Sequence, residues 1–167
     1  MGIGRAVHKA TTEGENREHE RWMREAIIQA KKAGSQNEVP VGAVLVEAGK
    51  IIGIGSNRPI GLHDPTAHAE IIALRNASQL KQNYRLPGTI LYVTIEPCTM
   101  CVGALIHARV GLLVFGARET RAGAVVSQQE LLQKVNYNHR MEYVEGVLAA
   151  PCGLLVKQFF QAKRLAK

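Results

Sequence analysis

Apolar positions along this chain change period several times, and each change marks an element. Trp22, Met23, Ala26, Ile27 and Ala30 recur at three- and four-residue spacing. They predict a helix from near Glu18, with Gly34 as its stop. The short apolar run Val41 to Val46 and its mirror Lys50 to Ile54 flank Ala48-Gly49, which predicts a β-hairpin. Ser56 to Gly61 reads as loop. A second helix is predicted from about Thr66 to about Leu80, capped by Asp64 or Thr66, with Ile71, Ile72, Leu74 and Ala77 on its apolar side. Thr89 to Ile95 is a buried-type strand, Thr99 to Ala108 a third helix, and Gly111 to Phe115 a fourth strand. Gly116 to Gly123 reads as loop, Gln128 to Lys134 as a short helix or turn, and Met141 to Val147 as a fifth strand. A closing helix runs from about Pro151 to Lys163.

Strands alternating with helices predict a three-layer α/β domain, and the opening hairpin makes its five-stranded sheet mixed. The 167 residues suit one domain over residues 18–167, without internal repeat or linker. Residues 1–17 are Gly-rich and polar, lack periodicity, and read as a disordered leader.

The formal net charge of +7 fits an anionic partner, most simply a nucleic acid. A merely basic soluble protein is the alternative. Three cysteines imply no disulfide framework, and the two in Cys98-x-x-Cys101 suggest metal or redox use. No apolar run approaches membrane-spanning length, and Met1 to Glu15 lacks a signal core. Ala6 stands where a myristoylation motif wants Ser or Thr. A cytoplasmic location is expected.

The chemistry gathers at two helix starts, His68-Ala69-Glu70 and Pro97-Cys98-Thr99-Met100-Cys101. Each helix follows a strand, so both starts lie at the sheet edge where open α/β sheets bind ligands. Cys98 and Cys101 share one face of a first helical turn, where free N–H groups stabilise thiolates. One imidazole and two thiolates form a three-ligand zinc set that leaves a place for water. Glu70 is then a spare carboxylate able to move that water's protons, which points to hydrolytic chemistry. Three other readings stay open at this point. They are a closed structural zinc site with Cys152 as fourth ligand, a thioredoxin-like redox pair, and chance coincidence of two motifs.

His-x-Glu followed by Pro-Cys-x-x-Cys resembles the signature of zinc nucleobase deaminases. The resemblance runs from about residue 18 to residue 164. It includes Glu38-Val39-Pro40-Val41-Gly42-Ala43, Asn57-Arg58-Pro59-Ile60, and His63-Asp64-Pro65-Thr66 leading into the zinc helix. Asn83-Tyr84-Arg85-Leu86, Leu91 to Cys98, Phe115-Gly116-Ala117-Arg118, Asn138-His139-Arg140 and Phe159-Phe160 extend it. This longer set is similar to the tRNA adenosine deaminases of the cytidine deaminase superfamily. The resemblance, and not the spacing, implies a cytidine-deaminase-like α/β/α sandwich, a homodimer and one zinc per subunit. It also implies conversion of adenosine to inosine at the wobble position of a tRNA. The usual bacterial substrate in that family is an arginine tRNA with an ACG anticodon.

By the same resemblance His68, Cys98 and Cys101 are the zinc ligands and Glu70 is the proton shuttle. Asn57 gains a role in base recognition, although taken alone it reads as a loop-shaping residue. The Ala69 N–H becomes a candidate donor to the reacting oxygen. RNA contacts fall on Phe160, on the loop after Phe115 and around Asn138. Leu155, Phe159 and Ala162 form the apolar stripe of the last helix and read as core, while Phe160 lies among Lys157, Lys163 and Arg164. Glu119 stands where the family commonly has Asp, so an RNA contact there has a shifted reach. Two alternatives remain: a deaminase of free nucleobases or nucleotides, and a basic RNA-binding module with structural zinc.

Overall fold

The computed structural model describes residues 8–134 and 136–166, with only the backbone at Lys134. Helix α1, Glu13–Ser35, starts a turn before Glu18. The cause is a capping box: the Thr12 hydroxyl accepts the Glu15 N–H at 3.2 Å, and the Glu15 carboxylate accepts the Thr12 N–H at 2.8 Å. Apolar periodicity begins later because the first turn faces solvent. Of the expected leader, residues 1–7 lie outside the described residues. Residues 13–17 are helical, and the Lys9 N–H donates to the Tyr143 carbonyl at 2.8 Å.

Five strands follow: β1 Gly42–Glu47, β2 Lys50–Ser56, β3 Thr89–Ile95, β4 Leu112–Ala117 and β5 Glu142–Glu145. They form one sheet in the order β2-β1-β3-β4-β5. β1 runs antiparallel to both β2 and β3, while β3, β4 and β5 are parallel. β2 therefore points the same way as β3, so the chain leaves both strands at the same edge. Alternation divides the core. Ala43, Leu45, Leu91, Val93, Leu113 and Phe115 face helices α3, Ala69–Lys81, and α4, Thr99–His107. Val44, Val46, Tyr92 and Val114 face α1 and helix α6, Ala149–Leu165. This is the expected α/β/α sandwich with a mixed five-stranded sheet.

Three details differ from the expectation. Residues read as loop include a short helix α2, Pro59–Leu62, started by Pro59 at its first position. Helix α3 begins at Ala69, not Thr66, because Asp64 spends one carboxylate oxygen on a local turn. That oxygen accepts the Thr66 N–H at 2.8 Å and the Thr66 hydroxyl at 2.7 Å. The stripe on α6 is not core: Cys152 is that helix's buried residue, Leu155 and Phe159 are half-buried, and Ala162 is exposed. Helix α5, Leu131–Lys134, is a single turn.

Close packing sets α3 on the sheet. A methyl group on Gly55 of β2 would sit 1.9 Å from the Ala69 carbonyl oxygen. Only a residue without Cβ lets the start of α3 approach this strand.

Candidate metal centre

His68 is the N-cap of α3 and Cys98 the N-cap of α4. Cys98 thus precedes the first turn that the spacing assigns to it, and Cys101 lies within that turn. Both caps have extended backbone, and neither side chain caps its own helix. Both turn inward instead. His68 Nδ1 lies 3.6 Å from Cys98 Sγ and 3.5 Å from Cys101 Sγ. The donor atoms of the three residues all lie within 4.8 Å of one another.

This geometry fits zinc. Tetrahedral zinc, with bonds of about 2.3 Å to sulfur and about 2.0 Å to nitrogen, separates such ligands by about 3.6 Å. Protonation tells the same story. The Cys101 thiol donates to Cys98 and, with the His68 imidazole, pulls the Cys98 thiol down to about 4 against burial. Cys101 is pushed up as the member that keeps the proton, and the thiolate at Cys98 raises His68. A cation held in the gap would take the place of that shared proton.

Cys152 cannot close the site. It is buried with Trp22, Met23 and Val114 on the opposite face of the sheet. Among the described residues three donors meet without a fourth, which matches a catalytic zinc site and not a closed structural one.

Glu70 lies in the first turn of α3, two residues from His68, and is only 4% exposed. Burial pushes its carboxyl up to about 7, which suits a group that both takes and gives protons near neutrality. His68, Glu70 and Cys98 line a cavity of about 240 Å³ with Asn57, Glu96 and Glu119, over an apolar floor of Val39, Val41 and Ile95. Asn57 is buried just past β2, its N–H held by the Val41 carbonyl at 3.0 Å. The Ala69 N–H belongs to the first turn of α3, where helix geometry provides no partner.

Not every expected site residue is here. Phe160 is 44% exposed and lines a neighbouring cavity of about 380 Å³ with Asn37, Val39, Ile60, Phe159, Lys163 and Arg164. Val39 is common to both cavities. Asn138 lies at the opposite edge of the sheet, beside the start of β4. There Arg109 donates to its side-chain oxygen at 2.8 Å, and the next residue, His139, meets the Val110 carbonyl at 2.6 Å.

Spacing missed Glu96, a second buried carboxylate in the cavity wall. Burial pushes its carboxyl up, but the Ser127 hydroxyl and the N–H groups of Val126, Ser127 and Glu119 outweigh it and hold it below the usual range. An acid at the buried end of an apolar strand, just before Pro97-Cys98, was the available signal.

Residues 16–117 match the cytidine and deoxycytidylate deaminase zinc-binding region. The chain is 50% identical over 149 residues to the tRNA-specific adenosine deaminase of Haemophilus influenzae, covering 89% of this chain and 86% of that protein. A solved structure from studies of A-to-I editing by tRNA:A34 deaminases at the wobble position of transfer RNA is 40% identical. It superposes with a TM-score of 0.77 over 81% of this chain and 98% of its own. A guanine deaminase structure from Bacillus subtilis is 31% identical with a TM-score of 0.60, over 87% of this chain and 93% of its own. The chain therefore belongs to the zinc-dependent cytidine and deoxycytidylate deaminase family, within its branch of tRNA-specific adenosine deaminases.

Proposed function

We propose that this protein hydrolyses adenosine to inosine at the wobble position of a tRNA, with an arginine tRNA bearing an ACG anticodon as the first candidate. One observation carries the polymer substrate. The cavity with the metal ligands and Glu70 adjoins, across Val39, a second cavity that presents Phe160 beside Lys163 and Arg164. A base flipped into the first pocket leaves neighbouring nucleotides over the second, where an aromatic face stacks and cations meet phosphates. A deaminase of free bases, the second reading, has no use for that extension or for a +7 charge.

His68, Cys98 and Cys101 would hold the zinc, which would supply the positive charge that makes a water easier to deprotonate. Glu70 accepts a proton from the attacking water as oxygen bonds to C6. It passes that proton to ring N1, then takes the second proton from the new C6 hydroxyl and gives it to the amine, which leaves as ammonia as the C6 carbonyl forms. Adenosine and water become inosine and ammonia, and Glu70 ends as it began. Asn57, held by its backbone at the pocket wall, presents an amide to the purine edge. The Ala69 N–H faces the reacting oxygen. Glu119, at the rim, is within the pocket's reach of a flanking nucleotide. Asn138 has no role in its own subunit's pocket, because it lies at the far edge of the sheet.

We also propose that the protein works as a homodimer in the cytoplasm. Between α3 and α4 lies a shallow groove of about 410 Å³, with Ile71, Leu74, Ala104 and Ala108 at its apolar part. Arg75, Ser78, Gln79, Tyr84 and His107 also line it, a mixed surface that suits a second copy. Among the described residues no helix is long and apolar enough to cross a membrane.

The test is deamination of an anticodon stem-loop with adenosine or cytidine at the wobble position, beside free guanine and cytosine. Inosine formed in the RNA, with binding that weakens steeply as salt rises, supports the proposal. Deamination of free bases alone overturns it in favour of the second reading.

A further inference from the structure

Two buried carboxylates face the deamination pocket, and they are not equivalent. Glu96 is 3% exposed, and both of its oxygens are engaged by one loop. Oε1 accepts the N–H groups of Val125 at 3.1 Å, Val126 at 2.8 Å and Ser127 at 2.9 Å. Oε2 accepts the Glu119 N–H at 3.0 Å and the Ser127 hydroxyl. A carboxylate offers about four lone-pair sites, so nothing remains for a metal or a base.

The loop in question, residues 119–127, contains no regular helix or strand. Its first residues, Glu119 and Ala122, reach the pocket wall. Its later residues, Gly123 to Val125, are buried. The chain turns where Gly123 passes the carboxylate. A Cβ there would meet the Glu96 carboxyl carbon at 2.4 Å. The Pro97 carbonyl accepts the Ala124 N–H at 2.9 Å, which ties the same loop to the segment that carries Cys98.

We propose that Glu96 is a positioning residue for substrate, gathering the 119–127 loop into the wall that brings Glu119 and Ala122 to the nucleobase pocket. It acts through the loop and never touches the reacting atoms. Without it, several buried N–H groups lose their shared acceptor, and the wall loses its fixed distance from Glu70. The proposal rests on the reading of this cavity as a nucleobase site.

The test compares the full-length zinc protein with Glu96→Gln and Gly123→Ala. The first places an amide NH₂ against N–H donors. The second leaves the carboxylate intact and forces a methyl group against it. Both are expected to keep one zinc per chain and raise KM for the stem-loop roughly tenfold, with kcat changed less than about threefold. Amide protons of residues 125–127 should exchange at least about tenfold faster in each variant. Unchanged KM in a folded, zinc-loaded variant overturns the proposal, as does loss of kcat at constant KM. Should Glu96→Gln fail to fold, Gly123→Ala decides. Amide exchange needs no substrate, so unaltered exchange defeats the loop-holding role even if the parent enzyme proves inactive on RNA. Parental inactivity alone counts against the pocket reading.

Discussion

His68 and Cys98 hold the same position in two different helices: each is an N-cap whose side chain faces the other, Nδ1 to Sγ, at 3.6 Å. A cap side chain normally satisfies its own helix. Here both helix starts are left open toward the metal gap, and their partial positive charge favours thiolate at Cys98. His68→Ala or Cys98→Ser should therefore abolish stable zinc binding without removing a cap. Metal analysis after gel filtration should find less than about a tenth of the parental zinc, and deamination should vanish with it. Cys152→Ser, on the other face of the sheet, should keep full zinc.

The role proposed for Glu70 separates chemistry from metal binding. Its carboxyl is buried beside the ligands but is not one of the three donors that meet. Glu70→Ala should retain one zinc per chain and lose turnover by ~10²–10⁴, the usual value of acid–base assistance. Zinc content and single-turnover rate, measured on the same preparation, check both halves.

The hydrophobic pattern carried most of the fold because both sheet faces are buried, so Leu91 and Tyr92 point to opposite cores yet read as one apolar run. The donor set was visible because His68 and the Cys98-x-x-Cys101 pair sit on local motifs. What stayed hidden depends on contacts between distant segments. Thr12 capped a solvent-facing turn that has no apolar period. Glu38, buried before β1, accepts the Gly61 N–H at 2.7 Å and helps fix α2, a relation no spacing reveals. Glu96 and its loop are the same case. The stripe Leu155-Phe159-Ala162 misled because helical spacing tells which residues share a face, not whether a partner covers it.

Gly55 tests how α3 is placed. A Cβ at that position collides with backbone, the Ala69 carbonyl oxygen at 1.9 Å, and no side chain can move aside. Gly55→Ala should cost at least about 3 kcal/mol, the upper end of ordinary overpacking. Because Ala69 follows His68, a proposed ligand, zinc affinity should fall too. Urea unfolding and competition with a chelator measure the two effects.

His19 gives the fold a pH dependence. It is buried in α1, with Nδ1 3.0 Å from the Tyr92 hydroxyl and Nε2 without a hydrogen-bond partner among the described residues. Burial, and then Lys9, lower its pKa from an ordinary value of 6.5, while Glu15 and Glu18 oppose them. The unfolded chain takes up a proton near 6.5 and the folded chain only at lower pH. Stability present above that value is lost as pH falls, until the folded imidazole also protonates. One such proton contributes a slope of at most about 1.4 kcal/mol per pH unit. His19→Gln, which keeps a partner for Tyr92, should flatten the fall in unfolding free energy between pH 7 and pH 5. Equal slopes in parent and variant would discard the assignment.

Phe160 decides between an RNA polymer and a free base as substrate. Its ring meets Phe159 edge-on at 5.4 Å, and the Lys163 ammonium lies 5.4 Å from the Phe159 ring. This cluster borders the metal pocket but contributes nothing to it. Phe160→Ala removes a half-exposed ring from α6, so the fold and the zinc should be unaffected. Stacking on one base is worth ~1–3 kcal/mol, which corresponds to a loss of ~5- to 150-fold in stem-loop affinity. The loss should be nearly independent of salt, since a ring releases no counterions. Lys163→Ala should instead reduce the salt dependence itself by roughly one phosphate contact. Fluorescence anisotropy at several ionic strengths separates the two. If neither variant alters binding, the second cavity is not an RNA surface and the case for a polymer substrate loses its main support.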